Sequence, residues 1–157
     1  MPETHDREVA AALARLAESW LALGVRLELP GMTLTVLALA ILLLKAVSFL
    51  TLTCLVFVIV FGIAGKYYAL RVALDRTLFL HWAERWENNT PSNPEEDMKR
   101  LDAALSSTGL RVSPPGPLRS LQSRQQGAFG LFRNQAILFL LQCSALLISA
   151  VAAQWGQ

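Results

Sequence analysis

Apolar positions in this chain fall into two long runs, separated by a more polar stretch. Residues 31–65 contain one ionisable side chain, Lys45, and residues 134–153 contain none. A helix rises about 1.5 Å per residue, so the first run would be about 50 Å long and the second about 30 Å, against a hydrocarbon core of about 30 Å. The pattern predicts an all-α integral membrane protein with two transmembrane helices, the second over residues 134–153.

The first hydrophobic segment, residues 30–65, allows two interpretations. In the preferred one, the span covers about residues 46–65, flanked by Lys45 and Lys66, whose ammonium groups can reach both interfaces. The helix is then long and continues into the cytoplasm. The alternative is a hairpin that turns at Lys45. Against it, the first arm would have only 14 residues, and the turn lacks Gly, Pro and Asn.

The N-terminal segment, residues 1–29, has apolar side chains at helical spacing. The pattern predicts an amphipathic helix over residues 4–24, which Gly24 would end. We expect this helix to lie in the headgroup layer or to bind a partner. The alternative is that it folds back on the rest of the chain. Its large apolar residues are Val9, Leu13, Leu16, Trp20 and Leu23.

Basic residues predict the orientation. The central segment, residues 66–133, carries ten Lys and Arg, the N-terminal segment three, and the tail, residues 154–157, none. Short loops rich in Lys and Arg stay in the cytoplasm, so we expect a cytoplasmic central loop and two periplasmic termini. A hairpin at Lys45 would place the N-terminus in the cytoplasm instead.

The central segment is predicted to form a short cytoplasmic helical hairpin. Its first helix, residues 66–87, has apolar residues on every side, so part of it needs a protein neighbour. We expect Leu78, Trp82 and Trp86, spaced by four, to bind a partner; the alternative is burial against the following helix. That second helix is predicted to start at Asn93, with Pro94 in its first position.

Four basic side chains border the predicted membrane. They could contact lipid headgroups at about 1 kcal/mol each, although ordinary positive-inside anchoring is the interpretation that the sequence favours. They are Lys66, Arg119, Arg124 and Arg133.

Small and polar side chains form stripes in both predicted spans. Small residues let helix backbones approach closely, and amides bind neighbouring helices through hydrogen bonds. The stripes therefore predict helix packing, either with another subunit or between the two spans of one chain. Their members are Ser48, Thr51, Gly62 and Gly65, followed by Gln135, Gln142, Ala145 and Ser149.

Composition supports a membrane protein and offers little chemistry. The chain is 54% hydrophobic and 17% charged over 157 residues, and its net charge of +2 gives no indication of nucleic-acid binding. His81 and Glu84 have helical spacing but no second pair of ligands, and Cys54 and Cys143 lie within apolar runs. We expect no catalytic residues, metal, cofactor or small-molecule substrate.

The function expected from these patterns is that of a non-enzymatic accessory or assembly subunit of a bacterial inner-membrane complex. Its partners would be other membrane subunits or a second copy, together with the bilayer itself. The bacterial setting rests on 11 Arg against 3 Lys, a bias typical of GC-rich genomes. The alternative is a holin-like pore-forming oligomer, since small size and polar stripes are compatible with both.

Overall fold

The computed structural model describes residues 2–88, 93–107 and 120–155, and all regular structure in these ranges is helical. The four helices are α1 (Pro2–Leu44), α2 (Phe49–Glu87), α3 (Pro94–Ser107) and α4 (Leu121–Trp155). Three of them, α1, α2 and α4, are long and apolar enough to cross a membrane. The expectation of two such helices and a separate amphipathic helix is therefore wrong.

The difference arises at Lys45. The amphipathic segment and the first apolar arm form one helix, α1, which continues through Gly24 and has Pro30 in its interior. The helix ends at Leu44, and residues 45–48 are not helical. The observed arrangement is therefore the hairpin at Lys45, which was the alternative interpretation of the sequence.

Ser48 explains why a turn without Gly, Pro or Asn is possible. Its hydroxyl accepts a hydrogen bond from the backbone N–H of Thr51 at 3.4 Å and lies 3.0 Å from the Thr51 hydroxyl. A serine in this position is an N-cap, which satisfies an otherwise unpaired donor in the first turn of α2. The sequence therefore marks this helix break with an N-cap serine rather than with Gly, Pro or Asn.

The helices pack as two compact units. Unit 1 comprises Met1–Ser19 and Arg76–Gly127, and unit 2 comprises Trp20–Asp75 and Ala128–Gln157. Helices α1, α2 and α4 each contribute residues to both units, whereas α3 belongs to unit 1 alone.

In unit 2, α4 runs parallel to α1, and α2 runs antiparallel to it. On α4, Gln135 donates a hydrogen bond to the Gly24 carbonyl of α1. Gln142, seven residues later on α4, donates to the Gly31 carbonyl, which is seven residues later on α1. Inward positions recur at intervals of three and four, the spacing of left-handed helix packing. On α1 these inward positions are Leu21, Gly24, Glu28, Gly31, Thr35 and Ala38.

Apolar packing closes unit 2 on the side of the hairpin. Ala38, Leu55 and Val58 are fully buried, and Ala145 joins the same cluster. The cluster combines two small residues with two branched ones, so three helices meet without a large central side chain.

Unit 1 has a more aromatic interior. Phe79, Trp82 and Trp86 on α2 are buried, as is Met98 on α3. Trp82 and Trp86 stack with ring centroids 5.6 Å apart, and Phe79 meets Trp82 edge to face at 5.8 Å. The aromatic residues of α2 therefore form the core that α3 covers, since Met98 is buried in the same unit.

Candidate interaction surface

The inward face of α1 is made of small residues. Ala11, Ala14 and Ala17 are at most 5% exposed within unit 1. Because alanine adds little bulk, the α1 backbone comes close to its neighbours in this part of the chain. The large apolar side chains of the same helix consequently lie on another face.

That other face points outward. Its residues recur at intervals of four, three, four and three and are between 37% and 55% exposed. We call this face the α1 stripe; it consists of Val9, Leu13, Leu16, Trp20 and Leu23. The sequence analysis assigned these five residues to one helix face. Val9, Leu13 and Leu16 belong to unit 1, whereas Trp20 and Leu23 belong to unit 2, where the Trp20 ring meets the Phe129 ring edge to face at 6.4 Å.

Many other outward positions of unit 1 are polar. On α2 they include Thr77, His81 and Glu84, and on α4 they include Gln122 and Gln126. Polar side chains of this kind are typical of a surface in contact with water. Val9, Leu13 and Leu16 are therefore exposed apolar residues in a unit that has many polar outward positions.

Charged residues beside the stripe have partners within unit 1. Arg15 binds Glu87 through two hydrogen bonds. Glu18 accepts a hydrogen bond from the Arg76 Nε at 2.8 Å. The charges of α1 nearest to Leu16 are thereby neutralised within the chain, so they add little net charge next to the stripe.

Trp82 and Trp86, predicted to bind a partner, lie inside unit 1. They are 3% and 1% exposed, and Leu78 is half-buried. The Trp86 indole N–H donates to Asp97 Oδ2 at 3.1 Å, and its backbone carbonyl accepts from Arg7 Nε at 3.0 Å. This is the alternative of burial against the following helix, and it leaves the two indoles almost no surface for another protein.

Two carboxylates of α3 form ion pairs with α2 and α4 within unit 1. Asp97 lies 3.1 Å from Arg85 Nε on α2, and Asp102 lies 2.7 Å from Arg124 Nη2 on α4. The Arg124 guanidinium also lies over the Trp82 ring, 5.8 Å from its centroid. Arg124 was predicted to reach lipid headgroups, but the structure places its side chain, 13% exposed, inside this cluster.

The other predicted headgroup residues have different surroundings. Lys66 forms an ion pair with Glu28 of α1, although about half of its side chain stays exposed. Arg133 is exposed on α4. Arg119 lies outside the described residues.

The predicted packing residues of α4 do lie between helices. Gln142 Nε2 donates to the Gly31 carbonyl at 3.0 Å and to the Thr35 hydroxyl at 2.9 Å. Gln135 Nε2 donates to the Gly24 carbonyl at 2.7 Å. Ala145 and Ser149 are buried on the same helix.

The packing residues of α2 divide into two groups. Thr51 and Gly62 are buried, and a Cβ at Gly62 would overlap the Thr35 hydroxyl. Gly65 has nothing within 4 Å of its Cβ position, and Ser48 is exposed as the cap of α2. Close approach of backbones is therefore required at Gly62.

The acceptors of the glutamines on α1 were missed in the sequence. Gly24 and Gly31 recur every seven residues, the same interval as Gln135 and Gln142. This shared interval was the signal that could have paired α1 with α4, since side chains seven apart lie on one helix face. Gln125, which donates to the Leu13 carbonyl at 2.8 Å in unit 1, was missed as well.

A small cavity lies in unit 2 beside these contacts. Its volume is about 20 Å³, and its mostly apolar lining, which includes Leu27 and Phe61, also contains Glu28, Lys66, Gln135 and Gln142. The Gln135 Oε1 atom is buried and has no hydrogen-bond partner among the described residues. A cavity of this size holds about one water molecule, so it is too small for an organic substrate.

The described residues contain no group of three or more His, Cys, Asp or Glu side chains placed to bind a metal ion. Comparison of the chain with models of protein families, with curated proteins and with solved structures finds no match. The outward stripe of α1 is therefore the feature on which a functional hypothesis can be built.

Proposed function

We propose that this protein is a non-enzymatic accessory or assembly subunit of a bacterial inner-membrane complex, and that it holds its partner through the α1 stripe. The observation that carries the proposal is the exposure of Val9, Leu13 and Leu16 in a unit whose other outward positions include Thr77, His81 and Gln122. Contiguous exposed apolar residues with a polar surround are typical of protein interaction surfaces.

The spacing of the apolar residues along α1 indicates what kind of surface can bind them. Apolar residues at alternating intervals of three and four form a seam that a second helix can cover along its length. The partner surface is therefore a helix with an apolar face of its own. Recognition of this kind needs no catalytic group, which agrees with a role in assembly.

The orientation we propose places the central segment in the cytoplasm. With three spans, thirteen of the 14 Lys and Arg lie before residue 29 or between residues 66 and 133, and the turn at residues 45–48 has only Lys45. An odd number of crossings puts the two termini on opposite sides. The positive-inside rule then gives a cytoplasmic N-terminus, rather than the periplasmic one expected for two spans, and a periplasmic C-terminus.

A holin-like pore is less well supported. A pore between copies would need polar side chains directed away from the chain's own core. The amides of Gln135 and Gln142 instead donate to α1 of the same chain.

The proposal is tested by purifying a tagged copy in mild detergent and identifying the proteins that accompany it. We compare wild type with Leu13→Gln/Leu16→Gln, which places amides on the stripe. The control is Thr77→Gln/His81→Gln, which places the same side chains on an outward α2 face. The stripe variant should lose the accompanying proteins, and the control should keep them. Equal recovery from both variants would refute the role of the stripe.

A further inference from the structure

Three exposed arginines, one on each long helix, lie at one level of unit 2. A Cβ added at Gly24 of α1 would lie 2.8 Å from Val72 Cγ1 of α2 and 2.9 Å from Phe132 Cδ2 of α4, so these three positions meet. Each arginine is within two residues of this meeting point, which is about 3 Å along a helix axis. We call these residues the arginine ring; they are Arg26, Arg71 and Arg133.

We propose that the arginine ring binds the phosphate groups of anionic lipid headgroups, so that one surface of the membrane lies at this level of unit 2. The guanidinium group suits this ligand, because its planar set of donors matches the oxygens of a phosphate. Such a site needs no protein partner, so it goes beyond the proposed function.

The arginines of the ring form no ion pair among the described residues. Arg71 lies over the Tyr67 ring, 5.5 Å from its centroid. The acidic residues of unit 2 are Glu28, which pairs with Lys66, and Asp75, a half-buried carboxylate one turn from Arg71. Unit 2 therefore has five basic side chains against two acidic ones, and the exposed guanidinium groups of the ring attract anions.

Polar side chains nearer to the hairpin have partners within the chain. Lys66 lies about 8 Å beyond Arg71 along α2 and pairs with Glu28 of α1. Gln142 of α4 donates two hydrogen bonds to α1. Hydrocarbon offers no partner for a polar group, whereas the headgroup layer offers phosphates and water. Arginines without an ion pair at one level, and paired side chains beyond it, are the pattern expected where a protein leaves the hydrocarbon.

The opposite end of unit 2 lies one membrane thickness away from the ring. On α1, 19 residues separate Arg26 from Lys45 in the turn, which corresponds to about 29 Å of helix. On α4, 22 residues separate Arg133 from Trp155, which corresponds to about 33 Å. The hydrocarbon core is about 30 Å thick, and Lys and Trp are typical of its borders. The ring and the hairpin turn are therefore spaced as the two surfaces of one bilayer.

The lipid selectivity of the purified protein tests the ring. The protein is reconstituted in phosphatidylcholine vesicles, and electron spin resonance compares its association with spin-labelled phosphatidylglycerol and spin-labelled phosphatidylcholine. Each basic residue near a surface of opposite charge strengthens the attraction by roughly fivefold. Wild type should therefore prefer phosphatidylglycerol, and added salt should weaken that preference.

Two variants that remove equal charge separate the ring from the net charge of the protein. Arg26→Gln/Arg133→Gln changes two exposed members of the ring and should lose most of the preference. The control, Lys99→Gln/Arg100→Gln, changes two exposed residues of α3 and should keep it. Arg26→Lys/Arg133→Lys retains the charge and should keep part of the preference, which distinguishes loss of the site from loss of the fold.

A wild-type protein without preference for phosphatidylglycerol would overturn the proposal, and so would an equal preference in the ring variant and the control. If wild type shows no preference, while the ring variant loses an accompanying protein during purification, the arginines bind an acidic protein surface instead of lipid. The lipid site then fails, whereas the accessory function stands.

Cysteine labelling locates the membrane surface. Cys54→Ala/Cys143→Ala removes the native thiols, and Leu74→Cys or Val36→Cys is added. Both positions are exposed in unit 2, but Leu74 lies about 5 Å outside the ring and Val36 about 15 Å beyond it towards the hairpin. In opened membrane fragments, a charged maleimide should label Leu74→Cys rapidly and Val36→Cys slowly. Equal rates would show that the surface does not lie between them and would overturn the proposed level.

Discussion

Gly62 and Gly65 lie three residues apart on α2, and their surroundings differ. The backbone of Gly62 is so close to α1 that an added methyl group would overlap the Thr35 hydroxyl and crowd the Gln142 amide. Gly65 has open space at the same position. A substitution at each site therefore separates close helix contact from the intrinsic preference of glycine.

Gly62→Ala should lower the thermal stability of the purified protein, whereas Gly65→Ala should leave it unchanged or raise it. Alanine favours a helix over glycine by about 1 kcal/mol, and both variants gain that term. Only Gly62→Ala must move Thr35 and Gln142, and overpacking of this kind costs about 1–3 kcal/mol. Unfolding followed by circular dichroism in detergent measures the difference. Equal melting temperatures for the two variants would contradict the contact.

For single residues, the sequence indicated on which helix face each packing residue lies, but not how deeply the residue is buried. Gln135, Gln142 and Ser149 were placed on one stripe by their interval of seven, and all three are buried. Gly65 was grouped with Gly62 for the same reason, yet a Cβ added at Gly65 would have no atom within 4 Å. Spacing along a helix defines direction, whereas the distance to the next backbone depends on the neighbouring helices.

At the scale of elements, α3 depends on two ion pairs for its position. Its exposed residues include Glu95 and Glu96, and its mean composition is polar, so apolar burial through Met98 contributes only part of its attachment. Asp97 and Asp102 supply the contacts to Arg85 and Arg124.

Asp97→Asn/Asp102→Asn should loosen α3 and increase the access of solvent to Trp82 and Trp86. Each aspartate forms an ion pair with a partly buried arginine, and asparagine removes the carboxylate charge while it keeps the side-chain shape, so the electrostatic attraction of α3 to α2 and α4 is lost. The expected result is stronger quenching of tryptophan fluorescence by acrylamide. Glu96→Gln is the control, since its ion pair with Arg100 is exposed and lies within α3. Quenching that is equal in all variants would show that α3 is held by other contacts.

The start of α3 was predictable, because Asn93 and Pro94 form an ordinary helix N-terminus. The Asn93 Oδ1 accepts from the Glu95 backbone N–H at 3.0 Å, as expected for a cap. The turn before α2 uses the same chemistry with Ser48, but it was judged by the absence of Gly and Pro. The burial of Trp82 and Trp86 could not be derived from α2 alone, because it depends on α3 and on the arginine side chains of other helices.

For the whole molecule, the number of crossings decides where the termini lie. Three spans predict that a reporter at the N-terminus is cytoplasmic and that one after Gln157 is periplasmic. A reporter inserted between residues 93 and 107 should be cytoplasmic. Paired alkaline phosphatase and fluorescent protein fusions measure each side. Two termini on the same side would restore the model with two spans.

The structure has three helices long and apolar enough to cross a membrane where the sequence predicted two, and the difference arises in α1. The apolar arm over residues 31–44 is short for a span by itself. It is, however, the C-terminal part of α1, which begins at Pro2, so the whole helix is long enough to cross a membrane. Pro30, the first residue of the hydrophobic segment 30–65, lies inside α1, although proline removes a backbone donor and usually ends or kinks a helix. The α1 helix tolerates it, so local propensity was overridden by the packing of α1 along α2 and α4.

The hydrogen bonds from α4 to α1 also have a consequence for the order of biosynthesis. Ribosomes complete α1 and α2 long before Gln135 and Gln142 are made, so this pair must wait in the bilayer for α4. The absence of α4 destabilises α1 little, because the Gly24 and Gly31 carbonyls lie within a helix whose backbone N–H groups already donate to them. For α4 the situation is reversed, since a glutamine amide without a partner in hydrocarbon is costly. A newly inserted α4 that failed to find α1 would therefore expose two unpaired amides to lipid, which favours its association with α1 as soon as it is inserted.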